Sequence, residues 1–157
     1  MLDKEAIPDS GDFMRADIWA DGICFQNRKF SPGGWATVLQ DDTLGDEEIS
    51  GASKNTTWYQ MELMAILRGI KLARSVLEEL TKLVIHTDHK ESIRYVTEKY
   101  GISSETEKGI HHYLQEIEWA LGPVKLEFRL VNESDPRNQR VTHLARQEVE
   151  DLMNTLV

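Results

Sequence analysis

The sequence predicts one α/β domain, a mixed five-stranded sheet with helices on both faces and three antiparallel strands at its start. Three observations support this class. Three strand-like segments before residue 53 are joined by short connectors, which favours an antiparallel meander. The apolar spacing then changes from a period of 2 to a period of 3.6 near Thr57, which indicates a helix. A further apolar run follows that helix, and a strand reached through a helix is typically parallel to the first.

The composition is that of a folded protein with one core. The chain has 157 residues, of which 40% are apolar and 29% are charged, and no apolar run is long enough to span a membrane. The N-terminus lacks the basic and apolar regions of a signal peptide. The single cysteine, Cys24, excludes a disulfide framework and a cysteine metal site. We therefore predict a soluble cytoplasmic protein with no membrane partner.

The charge balance bears on the choice of partner. The formal net charge is −9, whereas nucleic-acid-binding proteins usually carry a basic surface. This balance argues against a nucleic-acid partner, but less strongly if the acids are clustered around divalent cations, because bound metal reverses the local charge.

The domain is predicted to follow a loose tail. Residues 1–15 have several charges and no apolar period, so we predict a flexible tail at 1–15 and one domain at 16–157. In the first strand, Trp19 and Asp21 share a face that Ile18 does not, because strand side chains alternate. This strand ends in a carboxylate and a glycine. A strand that simply enters a turn would end in the same way, with Asp21 as a turn residue. Whether Asp21 instead binds a partner is judged from the positions of the other acids.

The later elements follow in order. Thr57 and Gln60 have the spacing of a capping box, so the long helix is predicted to begin at Thr57 and to place Glu62 near its start. The run from Leu83 predicts a strand buried on both faces that ends at Asp88. The remaining predictions are strands at 35–40, 48–52 and 124–130 and helices at 90–99, 105–121 and 138–152.

Three acids are predicted to converge. Asp21 and Asp88 end two strands predicted to be parallel, so both lie at the carboxyl edge of the sheet, where α/β proteins bind ligands. Glu62 begins a helix packed on that sheet and can reach the same place. Three acids together repel each other unless cations lie between them, and oxygen ligands without cysteine favour Mg²⁺ or Mn²⁺. Two such ions are a standard device for phosphodiester hydrolysis. For Glu62, a simple interaction with the helix dipole is the alternative.

The order of these motifs resembles a known family. The segments Ala20–Asn27 and Pro32–Ala36, then Asn55–Ala65, then His86–His89 are similar to the first three blocks of type 1 ribonuclease H. The resemblance covers about residues 17–150 and implies a ribonuclease H-like fold. It implies an endonuclease that hydrolyses the RNA strand of RNA–DNA hybrids with two Mg²⁺ or Mn²⁺ ions. The implied metal-binding catalytic residues are Asp21, Glu62 and Asp88, and the implied substrate-binding residues are Gly22, Asn27, Asn55, Thr56 and Thr57.

The fourth block departs from the family. Thr142 stands where the family has its fourth acid, and the loop before this block lacks the family's histidine. A hydroxyl is a neutral and poorer ligand, so one of the two metal sites is expected to be weakened. Asp135 or Glu133 is a candidate substitute, although acids in loops are more often solvated than functional. His143, one residue further along the helix, is expected to point elsewhere, because neighbouring helix residues differ by about 100° around the axis.

Two functions remain open at this stage. The first is a metal-dependent endonuclease, and the second is a ribonuclease H-like module with weakened or lost catalysis that binds nucleic acid or a protein. Trp58 and Tyr59 replace an asparagine pair of the family, and they are interpreted equally well as a packed helix start or as a stacking surface for a base or sugar. His89 stands in place of the usual serine and is expected to approach the site.

Overall fold

The computed structural model describes residues 14–25, 31–98 and 104–156. This part of the chain contains five strands and four helices, in the order three strands, one helix, one strand, two helices, one strand and one helix. The strands are β1 Arg15–Cys24, β2 Gly33–Leu39, β3 Glu47–Ser53, β4 Lys82–Thr87 and β5 Lys125–Leu130. The helices are α1 Trp58–Val76, α2 Lys90–Glu98, α3 Ser104–Leu121 and α4 Pro136–Leu156. In the part of the chain with described coordinates, no helix is both long enough and apolar enough to cross a membrane.

The strands form one mixed sheet in the order β3-β2-β1-β4-β5. The first three strands are antiparallel, whereas β4 runs parallel to both β1 and β5, which confirms the predicted sheet. Trp19 of β1 is level with His86 of β4. Asp21 and Asp88 each follow this pair by two residues, so the register brings both acids to the same edge of the sheet.

The alternation predicted for β1 is confirmed by two separate cores. Ile18 and Ala20 belong to the larger core, which includes residues of α1, α2 and α3. Trp19 and Ile23 face the opposite side and pack with Val141 and its neighbours on α4. Helices therefore cover both faces of the sheet, as predicted.

The start of α1 differs from the predicted capping box. Thr57 Oγ1 accepts the Gln60 backbone N–H at 3.2 Å, so Thr57 is the N-cap. The Gln60 side chain does not complete the box. Its Oε1 accepts the Thr56 hydroxyl at 2.9 Å, and its Nε2 donates to the Gly109 carbonyl at 2.8 Å. Only half of the box forms, because Gln60 instead links the start of α1 to α3.

Several boundaries also differ from the sequence predictions, and those of β1 and α4 bear on the site. β1 begins at Arg15, so the last residue assigned to the tail lies in the sheet, while residues 1–13 fall outside the described part. α4 begins at Pro136 instead of residue 138, because Asp135 acts as the cap: its Oδ1 accepts the Asn138 N–H at 2.9 Å. A proline suits the first turn of a helix, where its missing N–H would have no partner within the helix.

A column of stacked groups joins α4 to the middle of the sheet. The Trp19 and His86 rings stack with their centroids 4.0 Å apart, and the Arg137 guanidinium lies 5.0 Å from the Trp19 ring centroid. At the other end, His86 Nε2 lies 2.8 Å from Asp17 Oδ2. Arg137 also forms an ion pair with Asp46, so the connector between β2 and β3 is attached to the same column.

Asp17→Asn is expected to lower the melting temperature at neutral pH and to matter less in acid. Burial alone would raise the Asp17 pKa, but hydrogen bonds from His86 and Arg15 outweigh burial and hold the pKa well below its usual range. A lowered pKa contributes stability above the unfolded value of about 3.9, and this stability is lost as the pH falls further. Melting curves of both proteins should converge between about pH 4 and pH 2. A constant difference across that range would contradict the prediction.

Candidate active site

The centre of the site is a pair of buried acids that share one backbone donor. Asp21 near the end of β1 is 5% exposed, and Glu62 in α1 is 1% exposed. The Gly22 N–H lies 2.9 Å from Asp21 Oδ1 and 2.8 Å from Glu62 Oε1. Two carboxylates from distant parts of the sequence are thus brought together at a single amide.

Gly22 allows Asp21 and Glu62 to approach each other because the backbones of β1 and α1 are in contact at this position. A Cβ added at Gly22 would lie 2.4 Å from both the Glu62 nitrogen and the Met61 carbonyl carbon. No side chain fits at that distance. The absence of a side chain at Gly22 therefore sets the separation of the two acids.

The third acid lies at the rim of this pair. Asp88 immediately follows β4 and is exposed, unlike Asp21 and Glu62. Two residues of α4 contact the acids from the other side. Asn138 Nδ2 donates to Asp88 Oδ2 at 3.1 Å, and the Thr142 hydroxyl donates to Asp21 Oδ2 at 2.5 Å. The structure therefore brings the three predicted acids to one edge of the sheet, with Thr142 beside them.

Burial and mutual repulsion raise the pKa of both buried acids. Burial raises the Asp21 pKa, the Asp88 charge raises it further, and hydrogen bonds from Glu62, Thr142 and Gly22 partly oppose both effects. Burial also raises the Glu62 pKa well above its ordinary value, and the charge of Asp21 adds to this. Within the described residues, neither acid forms an ion pair with Lys, Arg or His.

These acids fit divalent cations by their chemistry. Mg²⁺ and Mn²⁺ prefer oxygen ligands such as carboxylates, and a cation bound between the acids would favour their deprotonated forms. The residues are not yet arranged as a closed site: among the described side chains, no three His, Cys, Asp or Glu lie close enough together to hold one ion. Asp88 is separately held by Asn138, and this contact must adjust when an ion is shared.

The two predicted substitutes for the fourth acid have different surroundings. Asp135 is the cap of α4, since its Oδ1 accepts the Asn138 N–H, and this use ties it to the helix start. Glu133 is exposed and lines a cavity of about 400 Å³ beside Asp88 and Thr142. His143, one residue beyond Thr142, is exposed and lines the same cavity.

A groove of about 670 Å³ lies beside the start of α1. Trp58 is 48% exposed and Tyr59 is 37% exposed on its wall. Tyr59 also packs edge-on against Tyr95 and His89, which agrees with its interpretation as part of a packed helix start. The other residues of the wall are Cys24, Ser31, Thr56, Thr57 and His89.

The predicted substrate-binding residues are only partly placed. Thr56 and Thr57 line the groove, although both also serve the start of α1. Asn55 Oδ1 accepts the Ser31 N–H at 3.1 Å, and this bond fixes the loop at the mouth of the groove. Asn27 lies outside the described residues.

Comparisons with known proteins agree with this architecture. A family model described as RNase H matches residues 15–150. The ribonuclease H of Bordetella bronchiseptica is 30% identical over 90% of this chain and 93% of its own length. RNase H1 of the archaeon Halobacterium salinarum superposes with a TM-score of 0.71 at 16% identity, over 87% of this chain and 98% of its own. LC11-RNase H1, isolated from compost and solved with an RNA/DNA hybrid, gives a TM-score of 0.72 at 18% identity, over 88% and 99%.

The sheet order and the structural matches define an α/β domain of the ribonuclease H-like class. The family model spans most of the chain and adds a finer assignment. The protein belongs to the RNase H family and is an RNase H-type endoribonuclease.

Proposed function

We propose that this protein hydrolyses the RNA strand of RNA–DNA hybrids, with Asp21, Glu62 and Asp88 holding Mg²⁺ or Mn²⁺. The observation that carries the proposal is the buried Asp21–Glu62 pair on the Gly22 N–H, because two buried acids that form no ion pair with a described basic residue are costly unless they bind cations. The family match and the hybrid bound to LC11-RNase H1 support the choice of substrate.

The chain's own groups supply binding and orientation. Asp21, Glu62 and Asp88 would hold the divalent ions, which when bound would activate the attacking water and stabilise the oxygen that leaves as the P–O3′ bond breaks, giving a 5′-phosphate and a 3′-hydroxyl. Gly22 holds one oxygen of each buried acid, and the Thr142 hydroxyl donates to the second oxygen of Asp21, so cation binding there would have to share or displace that hydrogen bond. The groove beside Thr56, Thr57 and Trp58 offers hydroxyls and an aromatic face, which suit a 2′-hydroxyl and a sugar or base.

The position of Thr142 favours a second candidate, a module that binds nucleic acid with weak or no turnover. A hydroxyl that donates to Asp21 brings no negative charge, so the site nearest α4 should bind its cation weakly. The net charge of −9 agrees with this candidate. The two candidates share the fold and the three acids and differ only in turnover.

Cleavage of a labelled hybrid tests both candidates. With Mg²⁺ or Mn²⁺, the wild type should cut the RNA strand of the hybrid and leave DNA and RNA duplexes of the same sequence intact. Thr142→Asp should raise the rate by about tenfold or more, because a charged ligand replaces a neutral one. Thr155→Asp, an exposed change on the same helix, controls for the added charge.

The outcomes separate the candidates. Cleavage by the wild type supports the enzyme. Cleavage that appears only in Thr142→Asp identifies a binding module whose turnover is lost at one position. No cleavage by either protein, with Thr142→Asp correctly folded, would contradict the proposed substrate.

A further inference from the structure

Asn138 has a buried side-chain oxygen for which the described residues provide no hydrogen-bond partner. The residue lies in the first turn of α4 and is 2% exposed. Its Nδ2 donates to Asp88 at 3.1 Å, but its Oδ1 has no hydrogen-bond partner among the described residues. Buried acceptors without a partner are rare in folded proteins, and one reason for keeping them is a missing ion or water.

The position of this oxygen is informative because it adjoins the acids. Asn138 lines the 400 Å³ cavity together with Asp88 and Thr142. Its own backbone carbonyl lies 3.0 Å from the Thr142 hydroxyl, so the two residues form one unit against Asp21 and Asp88. The unpartnered oxygen is therefore next to the place where the family's fourth acid is absent.

The other oxygens of this region have other uses. Asp135 caps α4 through Oδ1, and the Thr142 hydroxyl is directed at Asp21. Glu133 is exposed at the cavity mouth. Asn138, by contrast, is buried, contacts Asp88 through Nδ2, and has a side-chain Oδ1 with no hydrogen-bond partner among the described residues.

The amide can present either of its two ends to Asp88. The torsion of an Asn side chain about its Cβ–Cγ bond is broad and roughly two-fold, so a half-turn exchanges Nδ2 and Oδ1 with little strain. A carboxylate without a cation favours a donor beside it, and this explains the Nδ2 contact seen here. With a cation on Asp88, the same half-turn would point an oxygen at the ion, and an amide oxygen is a good ligand for hard cations.

We propose that Asn138 replaces the family's fourth acid by giving its side-chain oxygen to the cation shared with Asp88. The inference rests on the proposed metal-dependent function. It makes Asn138 a neutral ligand for the ion nearest α4, so this ion is held by fewer charges than in a four-acid site.

Titration with Mn²⁺ alone tests the ligand, with free Mn²⁺ followed by electron paramagnetic resonance. Asn138→Leu keeps the size of the side chain and removes the oxygen, so the weaker of the two Mn²⁺ affinities should fall about tenfold. Asn138→Asp supplies a charged oxygen at the same place and should raise that affinity about tenfold. Asn138→Asp should also melt at a lower temperature without cations and show a larger rise with Mn²⁺ than the wild type.

Gln139→Glu is the matched control. Gln139 is the next residue on α4, is exposed and lines the same cavity, so the variant adds one charge without adding a buried ligand. It should change the Mn²⁺ affinity by no more than about twofold, because solvent screens exposed charges. If Gln139→Glu matches Asn138→Asp, or if Asn138→Leu, folded as judged by its melting curve, binds Mn²⁺ like the wild type, the proposal is overturned.

Failure of the proposed function gives a different pattern. Wild type that binds no Mn²⁺, or binds it equally well as Asp21→Asn, would overturn both the metal-dependent function and the role of Asn138. Binding that is lost in Asp21→Asn but unchanged in both Asn138 variants would overturn the role of Asn138 alone. Altered binding in the Asn138 variants supports the ligand role even if no hybrid is cleaved.

Discussion

Glu62→Gln is expected to reduce hybrid cleavage by at least about a hundredfold while leaving the fold intact. Glu62 is fully enclosed at the start of α1, and its Oε1 already accepts the Gly22 N–H. An amide keeps that acceptor and the size of the side chain, but it removes the charge that a cation requires. Initial cleavage rates at saturating Mg²⁺ and at saturating Mn²⁺ measure the loss.

The same variant separates catalysis from stability. Because the Glu62 pKa is raised in the folded state, the acid contributes stability at low pH and loses it as the pH rises through that value. The amide of Glu62→Gln does not titrate, so the variant should melt at or above the wild-type temperature near pH 8 without cations. Glu78→Gln, an exposed change, controls for the lost charge. More than about a tenth of wild-type activity in Glu62→Gln would rule out a metal-binding role.

Gly22→Ala is expected to lower the free energy of unfolding by about 3 kcal/mol or more. The added methyl group would lie 2.4 Å from backbone atoms of Glu62 and Met61, and backbone cannot move aside as a flexible side chain does. β1 and α1 must separate, and the buried acids separate with them. Denaturant unfolding measures the stability, and hybrid cleavage should fall in the protein that remains folded.

Gly109→Ala is the matched comparison. A Cβ there would meet only the end of the flexible Gln60 side chain, at 3.2 Å. Alanine is also the better helix former by about 1 kcal/mol, so this variant should be neutral or more stable. Equal destabilisation by the two changes would show that close backbone approach at Gly22 is not what holds the site together.

The sequence was sufficient for the features that depend on local periodicity. The alternation of Ile18 and Trp19 predicts that they lie on opposite faces of β1, although one core was expected and the two faces form separate cores. Strands that end in Asp21 and Asp88 predict one acidic edge, because parallel strands share their direction. Thr57 was correctly identified as the cap from its spacing to Gln60. In each case the interacting residues are close in sequence or are related by the regular geometry of a strand.

The features that escaped prediction depend on contacts between distant elements. The Gln60 side chain turns to Gly109 because α3 packs there. The spacing of residues within α1 does not reveal where α3 packs. Asp135 was considered as a metal ligand, whereas a cap position before Pro136 is a local signal that could have been recognised. Asn138 stands at the start of the fourth block, but its unpartnered oxygen appears only when α4 is laid against Asp88.

The column through Trp19 and His86 has a consequence for how α4 is held against the sheet. Arg137 fixes the first turn of α4 to the sheet and to Asp46, one residue before Asn138. The orientation of that turn is therefore determined at its own end of the helix. A change near Leu156, at the other end of α4, would leave these contacts of Arg137 in place, while Val141, Ala145 and Val149 hold the middle of the helix against the sheet.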